Sequence, residues 1–258
     1  MTATREFSLA GYRSLLEAFT LSGYEVTDFD EVDPEKPHLI LRHDVDMSLQ
    51  AAEKIGIIEK ELGVSSYYFV LLRSEMYNLF SNSNLKVIEN LKNLGHQIGL
   101  HFDSSLYGKD EMDEAAEWES ECLQCLTGIE VKMISFHRPA QHLLGDGNYI
   151  AGRQHTYQPK FFEAITYCSD SRGEWSHGHP LDLPAFHKKH SIQLLTHPIW
   201  WIGNSDSGPI SQLDTFIKER DLIIRRELAH NCKPFQKAYG AFDSDTSLHS
   251  LTSSKEER

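Results

Sequence analysis

The sequence has little cysteine. Its four cysteines, Cys122, Cys125, Cys168 and Cys232, are too few and too scattered to form a disulfide framework for a chain of 258 residues. Cys122 and Cys125 form one Cys-x-x-Cys pair within a helical pattern, and no second pair completes a zinc site. We therefore expect ordinary reduced thiols.

Long apolar runs and an excess of positive charge are also lacking. No stretch is apolar for the ~18 residues that a membrane helix needs, and the segment Met1 to Ser8 lacks the pattern of a secretory signal. The 25 Lys and Arg against 38 Asp and Glu give a formal net charge of -13, which argues against a surface that binds phosphate backbones. The sequence therefore predicts a soluble, cytoplasmic protein with no membrane span and no nucleic-acid partner.

The sequence alternates between strand-like and helix-like segments. Ser8 can cap a first helix that ends at Gly23, and an acidic segment leads to an apolar run that begins at His38. Further strand-like runs follow at 65–71, 95–101, 131–136, 166–168 and 191–197, with a long loop at 145–158 and a closing helix at 213–228. A chain of this length suffices for one α/β barrel. We predict an N-terminal helix and lead-in loop at 1–36, a barrel at 37–242 and a disordered tail at 243–258.

Polar side chains collect where the predicted strands end. Five strand ends carry potential metal ligands or proton-transfer groups, namely His43, Asp44 and Asp46; His101 and Asp103; His137 and Arg138; Asp170; and His197. Because parallel strands of a barrel point their carboxyl ends to one face, we expect these groups to gather there. The first group could instead cap the helix that begins near Ser48, but three such residues in four positions favour a functional role.

Carboxylate and imidazole side chains together suit a zinc-like or harder divalent ion. Such an ion lowers the pKa of a bound water from ~15.7 towards ~7, which favours hydrolysis near neutral pH. A remaining His and Asp could transfer the protons, and Arg138 could orient a carboxylate through its fixed fork of donors. The pattern therefore indicates metal-dependent hydrolysis.

The order of these motifs resembles the polysaccharide deacetylases of carbohydrate esterase family 4. The resemblance runs from Leu39 to Pro198 and rests on His43-Asp44-Val45-Asp46, Ser66-Tyr67-Tyr68-Phe69-Val70, Gly95 to His101, Phe136-His137-Arg138-Pro139, Tyr167 to Ser171, and Leu195-Thr196-His197-Pro198. It implies a distorted (β/α) barrel of about seven parallel strands. It also implies removal of an N- or O-acetyl group from a sugar by a metal that one Asp and two His hold.

The resemblance assigns a metal ligand and the general base to the first motif. Asp44 becomes the best metal ligand. The base is His43 if the alignment is ungapped, and it is Asp46 if the family's Asp-Asp pair is split here.

The second metal-binding motif departs from the family pattern. His101 matches the family's first metal histidine, but the second falls on Ser105, a poor ligand. Asp46 or Asp103 must then complete the shell, and the implied metal set is Asp44, Asp46 and His101.

The later motifs imply the remaining catalytic roles. Arg138 corresponds to the arginine that orients the base, and Asp170 with Trp175 corresponds to the motif that tunes and lines the site. His197 corresponds to the general acid.

Five residues are candidate substrate contacts, namely Asp103, His137, Trp175, Trp200 and Trp201. Trp200 or Trp201 could stack on a sugar ring through its apolar face, or at least one of them packs in the core. The sequence leaves both interpretations open.

Together these features predict a metal-dependent hydrolase that removes an acetyl group from an amino sugar in polysaccharide or glycan-precursor metabolism. Zn²⁺ is the favoured cofactor, with Co²⁺, Mn²⁺ and Ni²⁺ as alternatives. Hydrolysis of another non-peptide carbon–nitrogen bond stays open, and Ser105 keeps open a barrel that binds carbohydrate without turning it over. The sequence leaves the oligomeric state undetermined.

Overall fold

The computed structural model describes residues 6–203 and 208–240. The chain forms two compact units, Met1–Ser205 and Asp206–Arg258. Eight strands of the described residues lie in the first unit, namely β1 (Glu25–Val26), β2 (His38–Val45), β3 (Tyr67–Leu71), β4 (Gln97–Asp103), β5 (Met133–His137), β6 (Gln154–His155), β7 (Thr166–Ser169) and β8 (Ile192–Thr196).

Six α-helices of the described residues lie between or before these strands, with none between β1 and β2 or between β5 and β6. They are α1 (Leu9–Leu21), α2 (Leu49–Glu61), α3 (Asn82–Leu94), α4 (Met112–Thr127), α5 (Pro159–Phe162) and α6 (Pro184–Lys188). Ser8 and Ser48 begin α1 and α2 as predicted, because each side-chain oxygen accepts a hydrogen bond from the backbone amide three residues on. The second unit contains α7 (Pro209–Asn231) and α8 (Lys233–Tyr239).

All strand pairs of the main sheet are parallel, in the order β6-β5-β4-β3-β2-β8-β7, and β1 pairs separately with β2. The seven strands of this path curl into a half-barrel with helices around it. This confirms the predicted α/β fold, a distorted barrel of about seven parallel strands. The carboxyl ends of the strands consequently lie along one face.

The interior at the amino-terminal end of the sheet is filled by apolar side chains. Phe29, from the acidic lead-in segment, packs its ring against Tyr67 at 5.3 Å and Phe161 at 4.9 Å. Gly99 faces Phe69, and a Cβ at this position would lie 2.5 Å from the Phe69 ring. The bulk of Phe69 therefore requires a glycine on the neighbouring strand.

The segment predicted as a long loop at 145–158 contains the short strand β6, and the predicted closing helix is part of α7. The predicted tail at 243–258 lies outside the described residues, and the proposed domain boundaries stay predictions. Within the described residues, no helix is both long and apolar enough to cross a membrane.

Candidate metal and acid–base site

Strand β2 carries functional side chains on both faces. Side chains alternate along a strand, so Arg42 and Asp44 point to one face and His43 to the other. Arg42, His43 and Asp44 are all buried, at 0%, 0% and 2% exposure. The inner face leads to the carboxyl end of the barrel, where Asp46 follows the strand.

Three ligand atoms come together at this end of the barrel. Asp46 Oδ1 lies 3.0 Å from His101 Nε2, at the end of β4, and 3.3 Å from His137 Nδ1, at the end of β5. The ligand atoms of these three residues all lie within 4.8 Å of one another. Asp46 Oδ1 is a buried oxygen that, among the described residues, makes no well-aligned hydrogen bond. An unsatisfied buried carboxylate oxygen beside two imidazole nitrogens suits a divalent cation.

The surroundings of His101 favour the same conclusion. His101 Nδ1 lies 3.1 Å from the backbone oxygen of Ser135, which fixes the proton on Nδ1. The Nε2 lone pair then faces Asp46, as in histidine ligands whose other nitrogen donates to a carbonyl. Burial disfavours the imidazolium, but the charges of Asp44 and Asp46 outweigh it and raise the pKa of His101. A metal ion and a proton therefore compete for Nε2.

Asp44 lies beside this cluster, but both of its carboxylate oxygens already accept hydrogen bonds. Its Oδ2 accepts a hydrogen bond from Arg42 Nη2 at 3.0 Å, and both its oxygens accept from Ser135 Oγ, at 3.2 and 3.1 Å. Its Oδ2 is 3.8 Å from His101 Nε2. Burial opposes ionisation, but the neighbouring positive charges, first that of Arg42, lower the pKa of Asp44. The geometry thus makes His137 a better third ligand than Asp44, the residue that the sequence favoured.

His197 and Asp170 form an oriented pair next to the metal cluster. Asp170 Oδ1 lies 2.7 Å from His197 Nδ1, and His197 Nε2 lies 3.8 Å from Asp46 Oδ2. Burial lowers the pKa of His197, but the hydrogen bond and charge of Asp170, together with the charges of Asp46 and Asp44, raise it to about 9. At neutral pH His197 therefore carries the proton that a general acid needs.

His43 does not join this cluster, which corrects its interpretation as the general base. Its Nε2 lies 2.7 Å from Glu59 Oε1 on α2, and its Nδ1 lies 2.6 Å from Thr196 Oγ1 on β8. The alternation of side chains along β2 turns its ring outward, towards the helices, while Asp44 points inward. Asp46, the alternative base, does lie in the cluster, but as a candidate metal ligand.

Arg138, the predicted orienting arginine, lies mostly exposed beside Asp103. Its side chain is 70% exposed, and its Nη1 lies 4.0 Å from Asp103 Oδ2. Asp103 in turn accepts hydrogen bonds from the amide and hydroxyl of Ser105. Inside the barrel it is Arg42 that pairs with Asp44, at 3.0 Å, and the orienting role predicted for Arg138 stays a prediction.

The three candidate tryptophans differ in exposure. Trp201 is 2% exposed and donates through Nε1 to Asp170 Oδ2 at 2.8 Å, and Trp200 is 6% exposed. Neither presents an open face for a sugar ring, so of the two interpretations that the sequence left open, packing in the core fits their burial. Trp175 is half-buried, with its ring 6.0 Å from that of Trp201 and stacked on Phe7. Sugar contact by Trp175 stays a prediction.

No family model and no curated protein sequence matches the chain. Solved structures do match. The Bc1960 peptidoglycan N-acetylglucosamine deacetylase matches with 17% identity and a TM-score of 0.46, over 80% of this chain and 88% of that one. A family 4 carbohydrate esterase from Bacillus anthracis matches with 16% identity and a TM-score of 0.43, over 80% and 84%. BA3943, a pseudoenzyme of the same family from Bacillus anthracis, matches with 15% identity and a TM-score of 0.40 over 72% of this chain, which spans 61% of its length.

The chain is similar to family 4 carbohydrate esterases. The sequence identities to these structures are low, at 15–17%. At the position where the motif resemblance expects a second metal histidine the chain has Ser105, and the arginine that contacts the buried Asp44 is Arg42.

Sequence reasoning missed several residues of the site. Arg42 and Glu59 are fully buried charges. Arg42 directly follows the apolar run of β2, and Glu59 lies on the buried face of α2, whose other buried residues carry no charge. A charged residue at such a position signals an internal ion pair. His137 was predicted as a strand-end group and substrate contact but left out of the implied metal set, because its distance from Asp46 depends on how β5 curls towards β2.

Proposed function

We propose that the protein is a metal-dependent hydrolase that removes an acetyl group from an amino sugar. The observation that carries the proposal is the Asp46, His101 and His137 cluster with the oriented His197 and Asp170 pair 3.8 Å away. A metal site beside a protonated histidine is the arrangement that hydrolysis of an amide or ester requires. The sugar substrate rests on the motif resemblance described above.

The donor set fits a divalent transition ion. Asp46, His101 and His137 supply one carboxylate oxygen and two imidazole nitrogens, which suit Zn²⁺ and also Co²⁺, Ni²⁺ or Mn²⁺. Such a cation would make a water more acidic and polarise an acyl oxygen. We propose zinc as the resident ion.

The protein's own groups would then carry the protons. Arg42, whose Nη2 lies 3.0 Å from Asp44 Oδ2, keeps Asp44 ionised. Asp44 would then accept a proton from the attacking water. His197 would give its proton to the departing amine or hydroxyl, and Asp170 would hold the ring in place through Nδ1. Because Asp170 also accepts from Trp201, its orientation is fixed before substrate binds.

A barrel that binds sugar without turnover is less well supported. Ser105 suggested this hypothesis of a binding protein without activity, because serine is a poor metal ligand. His137 supplies, next to Asp46, the second imidazole that a serine at position 105 does not provide. The Ser105 hydroxyl instead donates to Asp103.

Metal analysis and an acetate-release assay on acetylated amino sugars test the proposal. We expect near one equivalent of metal in the wild type, loss of metal in Asp46→Ala and His101→Ala, and retained metal in His197→Ala with turnover lower by about 10²-fold or more. His142→Ala, which alters an exposed histidine, serves as the control. A wild type that takes up none of the four ions, or an Asp46→Ala protein with full metal and turnover, would refute it.

A further inference from the structure

A second cluster of buried polar groups lies behind the site, on the outer face of the sheet. Its centre is Glu59 of α2, which is 0% exposed. We define the Glu59 cluster as Tyr12, His43, Glu59, Ser66 and Tyr68. No step of the proposed reaction uses these residues.

The Glu59 carboxylate is fully hydrogen-bonded. Oε1 accepts from Tyr12 Oη at 2.6 Å and from His43 Nε2 at 2.7 Å. Oε2 accepts from Ser66 Oγ and from Tyr68 Oη, each at 2.6 Å. Burial opposes ionisation, but His43 and the other donors outweigh it and lower the pKa of Glu59 to about 2. Glu59 is therefore a buried anion whose bonds tie two helices to strands β2 and β3.

One path leads from Glu59 to strand β8 through His43. His43 Nε2 donates to Glu59, and His43 Nδ1 lies 2.6 Å from Thr196 Oγ1. His43 and Thr196 are direct partners in the β2–β8 ladder. Thr196 is the last residue of β8, and His197 follows it on the inner side. This path therefore fixes the backbone from which the proposed acid projects.

A second path reaches His197 through Tyr12. The Tyr12 ring packs edge-on against Trp201, with centroids 5.2 Å apart. Trp201 Nε1 donates to Asp170 Oδ2 at 2.8 Å, and Asp170 Oδ1 holds His197 Nδ1 at 2.7 Å. Both the backbone and the ring of His197 are thus linked to the same buried carboxylate.

A buried charge is a weak means of stabilising a fold, because apolar residues of equal volume often do as well or better. What directional hydrogen bonds add is a defined geometry. Misplacement of a catalytic group by about 1 Å can cost about 10²-fold in rate. The Glu59 cluster is linked both to the backbone of His197 and to Asp170, which holds its ring. It can therefore prevent such a misplacement of His197.

We infer that Glu59 and His43 are positioning residues, which hold His197 and Asp170 in the geometry needed for proton transfer. The inference rests on the proposed function for its kinetic consequence. Its structural consequence, the fixed ring of His197, can be measured without turnover.

The test compares Glu59→Gln with Thr196→Val, which cuts the path through His43 without changing Glu59. In Glu59→Gln we expect full metal content, a KM within about twofold of wild type and a kcat lower by about tenfold. Thr196→Val is expected to show the same pattern with a smaller loss. The matched control is Glu119→Gln, since Glu119 is likewise buried, at 2% exposure, and accepts from a tyrosine, Tyr107 Oη at 2.6 Å. It lies on α4 and is expected to keep the wild-type kcat.

NMR of the imidazole protons gives the second measurement. We expect the His197 Nδ1–H signal, hydrogen-bonded to Asp170, in the wild type and its weakening in Glu59→Gln and Thr196→Val. If Glu59→Gln does not fold, Thr196→Val and Tyr12→Phe decide in its place. Wild-type kcat and an unchanged His197 signal in the folded variants overturn the inference. A weakened signal supports it even if the wild type releases no acetate, an outcome that refutes only the proposed function.

Discussion

Replacing Arg42 with methionine removes the cation that faces Asp44 inside the barrel. Arg42 is 0% exposed, and its Nη2 lies 3.0 Å from Asp44 Oδ2 and 3.1 Å from Tyr157 Oη. Its Nη1 donates to Gln193 Oε1 at 2.9 Å. Methionine fills much of the same apolar volume but leaves the Asp44 carboxylate buried without its partner. Breaking a buried ion pair in this way costs about 3–5 kcal/mol.

We expect urea denaturation of the metal-free Arg42→Met protein at pH 7 to show a free energy of unfolding lower than wild type by about 3–5 kcal/mol. In the wild type the pKa of Asp44 lies below its usual value, because Arg42 and other positive charges outweigh burial. Ionised Asp44 therefore adds stability above the unfolded pKa of ~3.9, and this is lost as the pH falls through the lower folded pKa. In the variant, burial raises the pKa of Asp44 instead. The difference from wild type should consequently shrink as the pH falls towards about 4.

Two further variants make this prediction specific. Asp44→Asn in the Arg42→Met background removes the uncompensated charge and should recover about 1 kcal/mol or more. Arg138→Met, which alters an arginine whose side chain is 70% exposed, should change the unfolding free energy by no more than about 0.5 kcal/mol. A loss below about 1 kcal/mol in Arg42→Met, or one that is equal at pH 7 and pH 4, contradicts the buried ion pair.

His137→Ala should lower the Zn²⁺ affinity by about tenfold or more, whereas Asp44→Asn should leave the Zn²⁺ affinity unchanged, as measured by calorimetric titration. The reverse result would favour the ligand set implied by the sequence. Asp170→Asn should lower the pKa of His197 from about 9 towards its usual ~6.5, because a charged hydrogen-bond acceptor is lost; NMR titration of the metal-free protein checks this, and an unchanged pKa speaks against the pair. Gly99→Ala should cost about 1–3 kcal/mol in urea denaturation, because the added Cβ would lie 2.5 Å from a neighbouring ring; a neutral change would mean that this layer is loosely packed.

The order of elements could be predicted from local patterns. The run from His38 has the apolar character of a buried parallel strand, and the serine caps at Ser8 and Ser48 start the helices that the structure contains. The same patterns placed polar residues at the ends of five strands, which the parallel sheet gathers at one face. Short elements such as β6 were missed, because two residues carry too little periodicity to detect.

Roles within the site were harder to predict. His43 and Asp44 are neighbours in sequence, yet the pleat of β2 sends one to Glu59 and the other to Arg42. A motif aligned by position cannot distinguish these two faces when it departs from the family pattern by one residue. The role predicted for Arg138 stays a prediction, but the arginine that contacts Asp44 is the buried Arg42, two residues before it in the sequence.

The sequence by itself determined the class of fold, the alternation of its elements and the chemical types of the groups at the strand ends, because these depend on hydrophobic period and local capping. The tertiary structure alone decided which of those groups meet. Asp46, His101 and His137 converge because β2, β4 and β5 curl towards a common axis. The distance between side chains on separate strands depends on that curvature, and no local pattern encodes it.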